Sequence, residues 1–429
     1  MKIVEYPLRS TWAELLKRPT IDTTKLFGIV QGVLTQVRED GDKAVLELEK
    51  KFDHVELTSL LVGEKEYDEA ESQLDPKLKE SIQLAHKNIA AFHQAQTFAP
   101  ITVQTAPGVT CEQRAVAIEN VGLYVPGGTA PLFSTVLMLA TPANIAGCAN
   151  IILCTPPRTD GTINPAILYS ARIAGVSQVY KVGGSQAIAA MAYGTESVPK
   201  VDKIFGPGNQ YVTAAKQLVS LSDVAIDMPA GPSEVEVLAD ESCVPAFVAA
   251  DLLSQAEHGV DSQVVLVCTS RQVIEAIETE VQKQLDLLPR KELASKALDH
   301  SVYILANNID EAIDITNFYA PEHLVIATHN YRDVANKITH AGSIFLGNYS
   351  CESAGDYASG TNHTLPTKGY ARAYSGLNLD SFIRKMTLQE LTAEGVKSIG
   401  EAVSTMAAGE QLTAHQRAMT IRMEALNNL

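Results

Sequence analysis

The chain has 429 residues, with 34 Lys and Arg against 50 Asp and Glu, a formal net charge of −16 at pH 7. That balance excludes the dense basic footprint needed to bind nucleic-acid phosphates. Apolar residues make up 46% and charged residues 20%, which excludes a disordered polymer, and at about 100–200 residues per domain the length predicts two to four structural units.

At the start, Met1–Thr20 has no apolar stretch of signal-peptide length, and even the long apolar run Phe133–Cys154 is broken by polar residues. Neither a secretory signal nor a membrane helix is expected. Six cysteines (Cys111, Cys148, Cys154, Cys243, Cys268, Cys351) show no C-x-x-C spacing, and several sit in apolar runs such as IILC and VVLVC. This is the pattern of reduced, mostly buried thiols in a cytoplasmic protein.

Roughly the first 100 residues read as helical. Leu78, Ile82, Ala85, Ile89 and Phe92 form one amphipathic stripe, with His86 and His93 beside it as solvated or rim positions. From Asn120 short apolar runs alternate with helical periodicity. Strands are predicted at Val121–Val125, Ile151–Cys154, Val179–Val182, Val201–Phe205 and Val224–Ile226, with helices between them. A second set follows at Val235–Leu238, Val264–Cys268, Val302–Leu305, Leu324–Ala327 and Ile344–Leu346. This is the rhythm of parallel sheets covered by helices, and the Pro/Gly-rich segment Met228–Ser233 between the sets is a hinge candidate. After Gly347 the chain turns polar and glycine-rich, as an irregular functional loop, before returning to helix in the tail.

Several side chains along this path carry chemistry. Gln255 and His258 are three apart, so on a helix they share a face and could reach one metal ion; on local grounds a helical face whose polar groups meet water is the simpler reading. Glu322 and His323 in Ala-Pro-Glu-His-Leu lie between a helix and a buried strand, where a base and a carboxylate can work together. In the loop, Glu352 and Asp356 stand among small residues, and His363 is a further imidazole. Cys351 has no histidine near it in sequence to activate a thiolate. Glu410 and His415 lie five apart in the tail and look like surface groups. Gly206-Pro-Gly-Asn-Gln-Tyr211 follows a strand and precedes a helix, but Tyr211 stands where a dinucleotide fingerprint needs its third glycine; Asp227 is a weak candidate for a ribose acid. Val125-Pro-Gly-Gly and Val182-Gly-Gly-Ser are further glycine turns after strands.

Taken together, the segments GLYVPGGTAPLFSTVLM, GGSQAIAAMAYGT, KIFGPGNQYVTAAK, DMPAGPSEV, DLLSQAEHG, APEHL, ESAGDYASGTNHTLPT and EQLTAHQ resemble the histidinol dehydrogenase family in order and content, from Gly122 to Gln416. The resemblance implies an α/β fold of two incomplete Rossmann-like units with parallel sheets, a helical N-terminal segment and an extended helical C-terminal tail. Its implied divisions are an arm at 1–21, a first Rossmann-like domain at 22–123 and 234–376, a second at 124–233, and a tail at 377–429 that crosses to the partner of a homodimer. It implies one zinc ion per subunit on Gln255, His258, Asp356 and His415. Substrate would meet Ser233, Gln255, His258, His323, Asp356, Glu410 and His415, and NAD+ would lean on Tyr124, Gln186 and Asn209. The implied reaction takes L-histidinol through L-histidinal to L-histidine with two NAD+, His323 acting as general base and Glu322 activating water. A zinc-dependent hydrolase using Glu322 as base is the alternative; a thiol-dependent aldehyde dehydrogenase built on Cys351 or another cysteine, and a non-catalytic nucleotide-binding protein, are further ones. No nucleic-acid or membrane partner is expected.

Overall fold

The protein is seen in a computed structural model that describes residues 1–19, 24–127, 131–228 and 231–427. Pro229 and Ala230 of the hinge candidate, residues 128–130 of the GLYVPGGTAPLFSTVLM segment, and the expected boundary at 21/22 lie outside the described residues.

In chain order the strands begin with β1 (Lys2–Glu5), β2 (Ile101–Ala106), β3 (Val109–Ala117), β4 (Asn120–Tyr124), β5 (Asn150–Thr155), β6 (Gln178–Lys181) and β7 (Lys203–Phe205). They continue with β8 (Ala225–Ile226), β9 (Glu234–Ala239), β10 (Gln263–Cys268), β11 (Val302–Leu305), β12 (His323–Ala327), β13 (Ser343–Leu346) and β14 (Ile383–Leu391). The chain divides into two compact units, one of Met1–Ala95 with Ile118–Ser381, the other of Gln96–Ala117 with Phe382–Leu429.

The larger unit holds two parallel sheets. One has the order β6-β5-β4-β7-β8 and the other β1-β11-β10-β9-β12-β13. Each is a doubly wound arrangement in which strand order reverses, between β4 and β7 in the first and between β9 and β12 in the second. Strands such as EVEVLA and QVVLVC are buried at every position because helices cover both faces. The helical span Thr24–Phe52, kinked at Gly41, packs Val30, Leu34, Val37, Val45 and Leu48 against the same core as Ile152 and Tyr180 of the five-stranded sheet and Ile188 of the helix Gly184–Tyr193. It therefore shares a core with the sheet of residues 124–233 rather than with the sheet of 234–376, and β4 runs through the expected division at 123/124.

Three expectations change here. The N-terminus is not wholly helical: Lys2–Glu5 forms an edge strand parallel to β11, in register from Lys2 with Val302 to Glu5 with Leu305. The stripe of the helix Pro76–Gln94, whose N-terminus is capped by the Asp75 carboxylate, continues from Ile89 to His93 and not to Phe92. His93 is fully buried and donates from Nδ1 to the Ile89 carbonyl at 2.8 Å, while Phe92 stays exposed. After Gly347 the loop contains a short helix, Glu352–Tyr357.

The smaller unit is an antiparallel sheet, β14-β3-β2, with the helices Ala393–Gly409 and Thr413–Asn427. Its strands were expected neither in the helical N-terminal region nor in the helical tail. Exposed or half-buried positions dominate them, so they lack the apolar runs that mark the parallel strands.

Candidate active site

Helix Ile309–Tyr319 ends at Ala320, which adopts a left-handed conformation at φ 53°, and Pro321 prevents any continuation. The chain thus turns sharply into β12, whose first residue is His323. Glu322 and His323 are fixed at the amino-terminal edge of the six-stranded sheet. Parallel pairing sets His323 beside Val235 of β9 and Ser343 of β13.

Both side chains are buried and line a cavity of about 520 Å³ together with Ser233, His258, Asp356 and His363. The opposite wall comes from Pro126, Gly206, Pro207 and Asp227, which follow β4, β7 and β8. The crevice therefore lies between the carboxyl ends of one parallel sheet and the amino ends of the other. The first wall is where doubly wound sheets accept nucleotides; the second carries a buried carboxylate and a buried imidazole.

The imidazole of His323 sits among three carboxylates. Nδ1 is 3.6 Å from Glu322 Oε2 and 3.8 Å from Glu352 Oε1, and Nε2 is 3.6 Å from Asp356 Oδ1. Burial by itself would lower the proton affinity of His323, but Glu322, Glu352 and Asp356 outweigh it and lift the pKa to about 10. Burial pushes Glu322 and Glu352 up to about 8, the neighbouring His323 charge notwithstanding. Burial also acts to raise Asp356, yet the His323 contact holds it below the ordinary carboxylate range. Nδ1 of His363 donates to the Asp356 carbonyl at 2.9 Å, so in the neutral ring Nε2 accepts from Thr135 Oγ1 at 3.1 Å.

With this geometry in hand, relatives give the arrangement a context. The family model described as histidinol dehydrogenase matches residues 16–423. The chain belongs to the histidinol dehydrogenase family. Histidinol dehydrogenase of Bacteroides thetaiotaomicron is 62% identical over 426 residues, 99% of this chain and 100% of that protein. The Vibrio vulnificus enzyme of the same name is 54% identical over 416 residues, 96% of each chain. The crystal structure of histidinol dehydrogenase from Elizabethkingia anophelis superposes with a TM-score of 0.98 at 52% identity, covering 100% of this chain and 99% of that one. Membership of the histidinol dehydrogenase family makes the chain an oxidoreductase, with the α/β fold of parallel sheets that its sequence predicts.

The site also holds side chains of the kinds that ligate metal ions. Gln255, on helix Pro245–Ala256, is fully buried with neither amide atom hydrogen bonded, and His323 Nε2 and Glu352 Oε1 are likewise buried without a hydrogen bond. Such orphans are costly unless a ligand completes them. Nitrogen and oxygen donors of this kind suit zinc. Of the expected ligands, Asp356 and His258 line the cavity. The donor atoms of His323, Glu352 and Asp356 lie within 4.8 Å of one another, so only Asp356 is common to this cluster and the expected set. Glu410 and His415 belong to the smaller unit and are exposed, Glu410 at the turn between its helices, where Gln411 takes φ 61°, and His415 in the first turn of the helix Thr413–Asn427.

The residues expected to meet NAD+ also have defined surroundings. Tyr124 ends β4 and Asn209 follows β7, so they flank the reversal of strand order, and Gln186 stands in the first turn of helix Gly184–Tyr193. Tyr124 Oη accepts from Gly184 N at 3.1 Å. Buried Glu49 Oε1 accepts from Gly183 N and from Gln186 Nε2, both at 2.9 Å. Asn209 Oδ1 caps the helix Gln210–Ser220 by accepting from Tyr211 N and Val212 N. Asp227 is no free ribose acid: its carboxylate accepts from Gly206 N at 2.8 Å and pairs with buried Lys216, so it holds the turn itself.

Sequence reasoning had no role for Glu352, His363 or Glu234. The first two lie in the polar loop already singled out; Glu234 carries no local signal because it opens an apolar strand. Cys351 is exposed and is not among the residues lining the cavity.

Proposed function

We propose that this chain oxidises L-histidinol through L-histidinal to L-histidine, passing two hydrides in succession to NAD+. The observation that carries this reading is the buried Glu322 and His323 pair on the wall of a crevice faced by nucleotide-type turns, in a chain matched to the family over nearly its full length. Gln255, His258 and Asp356 would hold zinc, with His415 as the remaining ligand. When bound, zinc supplies a Lewis acid for the substrate nitrogens and a positive charge that eases the proton off His323. NAD+ supplies the hydride acceptor for both oxidations.

The chain's own residues do the rest. Ser233 and Glu410 bind the amino alcohol, with Gln255, His258, His323, Asp356 and His415 completing the set. Tyr124, Gln186 and Asn209 hold the nucleotide. His323 removes the hydroxyl proton as hydride leaves the carbinol carbon, giving the aldehyde. Glu322 then takes a proton from water as the water oxygen adds to the aldehyde carbon, while His323 returns its proton to the carbonyl oxygen; freed in this way, His323 removes the hydrate proton in the second oxidation. Fixing the reacting carbon against a placed base can supply roughly 7 kcal/mol of barrier reduction. Buried thiols such as Cys154, Cys243 and Cys268 support a cytoplasmic setting.

The test is NADH formation from L-histidinol with and without a chelator. Activity that chelation removes and zinc restores is expected, as is a His323→Ala variant impaired in both oxidations and a Glu322→Gln variant impaired mainly in the second. A protein that makes no NADH with zinc present, or a Glu322→Gln variant that loses only the first oxidation, refutes the assignment; a zinc hydrolase would also make no NADH.

A further inference from the structure

Arg18 lies at the end of the N-terminal arm, far in sequence from the residues lining the crevice. The arm is seated by Trp12 and Leu16, buried in the same core as Ile313 and Tyr319, with the Trp12 ring edge-on to Phe318 at 5.7 Å between centroids. Gln263 Nε2 donates to the Lys17 carbonyl at 3.1 Å, which fixes the backbone just before Arg18.

From there one guanidinium spans the entrances of two adjacent strands. Nε pairs with the buried carboxylate of Glu234, the first residue of β9. Nη2 donates to the Tyr319 carbonyl at 2.7 Å and the Ala320 carbonyl at 3.3 Å, in the turn that leads into β12. The guanidinium carbon lies 4.0 Å from the centroid of the Tyr319 ring. The other Glu234 carboxylate oxygen accepts from Lys368 N, so this side chain has defined partners on both sides.

The backbone of Glu234 then meets both reactive side chains. Its N–H donates to Glu322 Oε2 at 2.9 Å, and its carbonyl accepts from His323 Nδ1 at 3.3 Å. Arg18 thus grips β9 at the residue that orients the pair, and grips β12 at the turn that presents it. We propose that Arg18 is a positioning residue for the reaction, setting Glu322 and His323 relative to one another through Glu234 and the Tyr319–Ala320 turn.

This rests on the proposed roles of Glu322 and His323. It differs from a general stabilising role because β12 is already held along its length by β9 and β13. What Arg18 adds is a planar fork with one ion pair, two carbonyl contacts and a ring contact, which a lysine ammonium cannot reproduce together.

The experiment compares Arg18→Lys and Arg18→Ala with the unaltered zinc-loaded enzyme, measuring thermal unfolding, zinc content, and kcat and KM for L-histidinol. Arg18→Lys is expected to fold, to keep its zinc and to hold KM within about twofold, while kcat falls roughly tenfold to a hundredfold. In Arg18→Ala, millimolar guanidinium should restore part of the lost kcat and methylammonium should not. Wild-type kcat in Arg18→Lys overturns the proposal, as does a rise in KM alone, loss of zinc in step with activity, or failure of both variants to fold. His323→Ala assayed alongside separates the two levels: if it is active, the reading of the site fails, and if it is inactive while Arg18→Lys is unimpaired, only the role of Arg18 fails.

Discussion

Glu236 on β9 is fully buried, and desolvation pushes its carboxyl up to about 8 against a hydrogen bond from Thr316 Oγ1 and the charge of Arg18. Its ordinary value is 4.5, so between that pH and about 8 the folded chain binds a proton that the unfolded chain has released. Its contribution to stability therefore falls as pH rises through this window. Glu236→Gln, which stays neutral, should match the parent near pH 5 and exceed it near pH 8.5 by about 1–4 kcal/mol, read from urea unfolding at the two pH values. A difference independent of pH would show that Glu236 is charged in the native state. Local sequence is mute on this residue, since a glutamate in EVEVLA reads as a solvated position. Glu322 and His323 are more legible, because Ala-Pro-Glu-His-Leu marks a helix end and a strand start. The carboxylates of Glu352 and Asp356 that set the charge around His323 come from a segment about thirty residues further on, and no local pattern links them.

The turn after β7 illustrates what an element demands of its sequence. Gly206 adopts φ 121°, and a Cβ there would lie 2.1 Å from the Tyr124 carbonyl oxygen, closer than backbone can tolerate. Lys216 Nζ donates to the Gly206 carbonyl at 2.8 Å and Asp227 accepts its N–H, so the turn cannot move without breaking a buried ion pair. Gly206→Ala should cost at least about 2 kcal/mol in unfolding free energy and weaken NAD+ binding by calorimetry; unaltered stability would mean the turn relaxes freely. The glycine turns were readable because a tight turn between strand and helix needs such residues. The parallel strands were readable because burial on both faces leaves continuous apolar runs. β1 and the strands of the smaller unit were not, being short or largely exposed, so their pairing is decided by partners distant in the chain.

Across the whole molecule, the residues proposed for the site divide between the larger unit and the tail. Gln255, His258, Glu322, His323 and Asp356 belong to the first; Glu410 and His415 belong to the second, exposed on its surface. If a second copy of the chain supplies Glu410 and His415, mixing His258→Ala with His415→Ala protein under subunit exchange should restore activity, toward about one intact site in each heterodimer. No recovery in heterodimers shown to form would exclude a shared site. The sequence by itself determined the α/β class, the family and the Glu322 and His323 pair, since apolar periodicity, turn glycines and contiguous motifs are local. Only the tertiary structure decided that the crevice joins the carboxyl ends of one sheet to the amino ends of the other, that three carboxylates surround His323, and that Arg18 reaches Glu234. Those relations depend on strand order and on contacts between residues far apart in sequence, which local patterns do not encode.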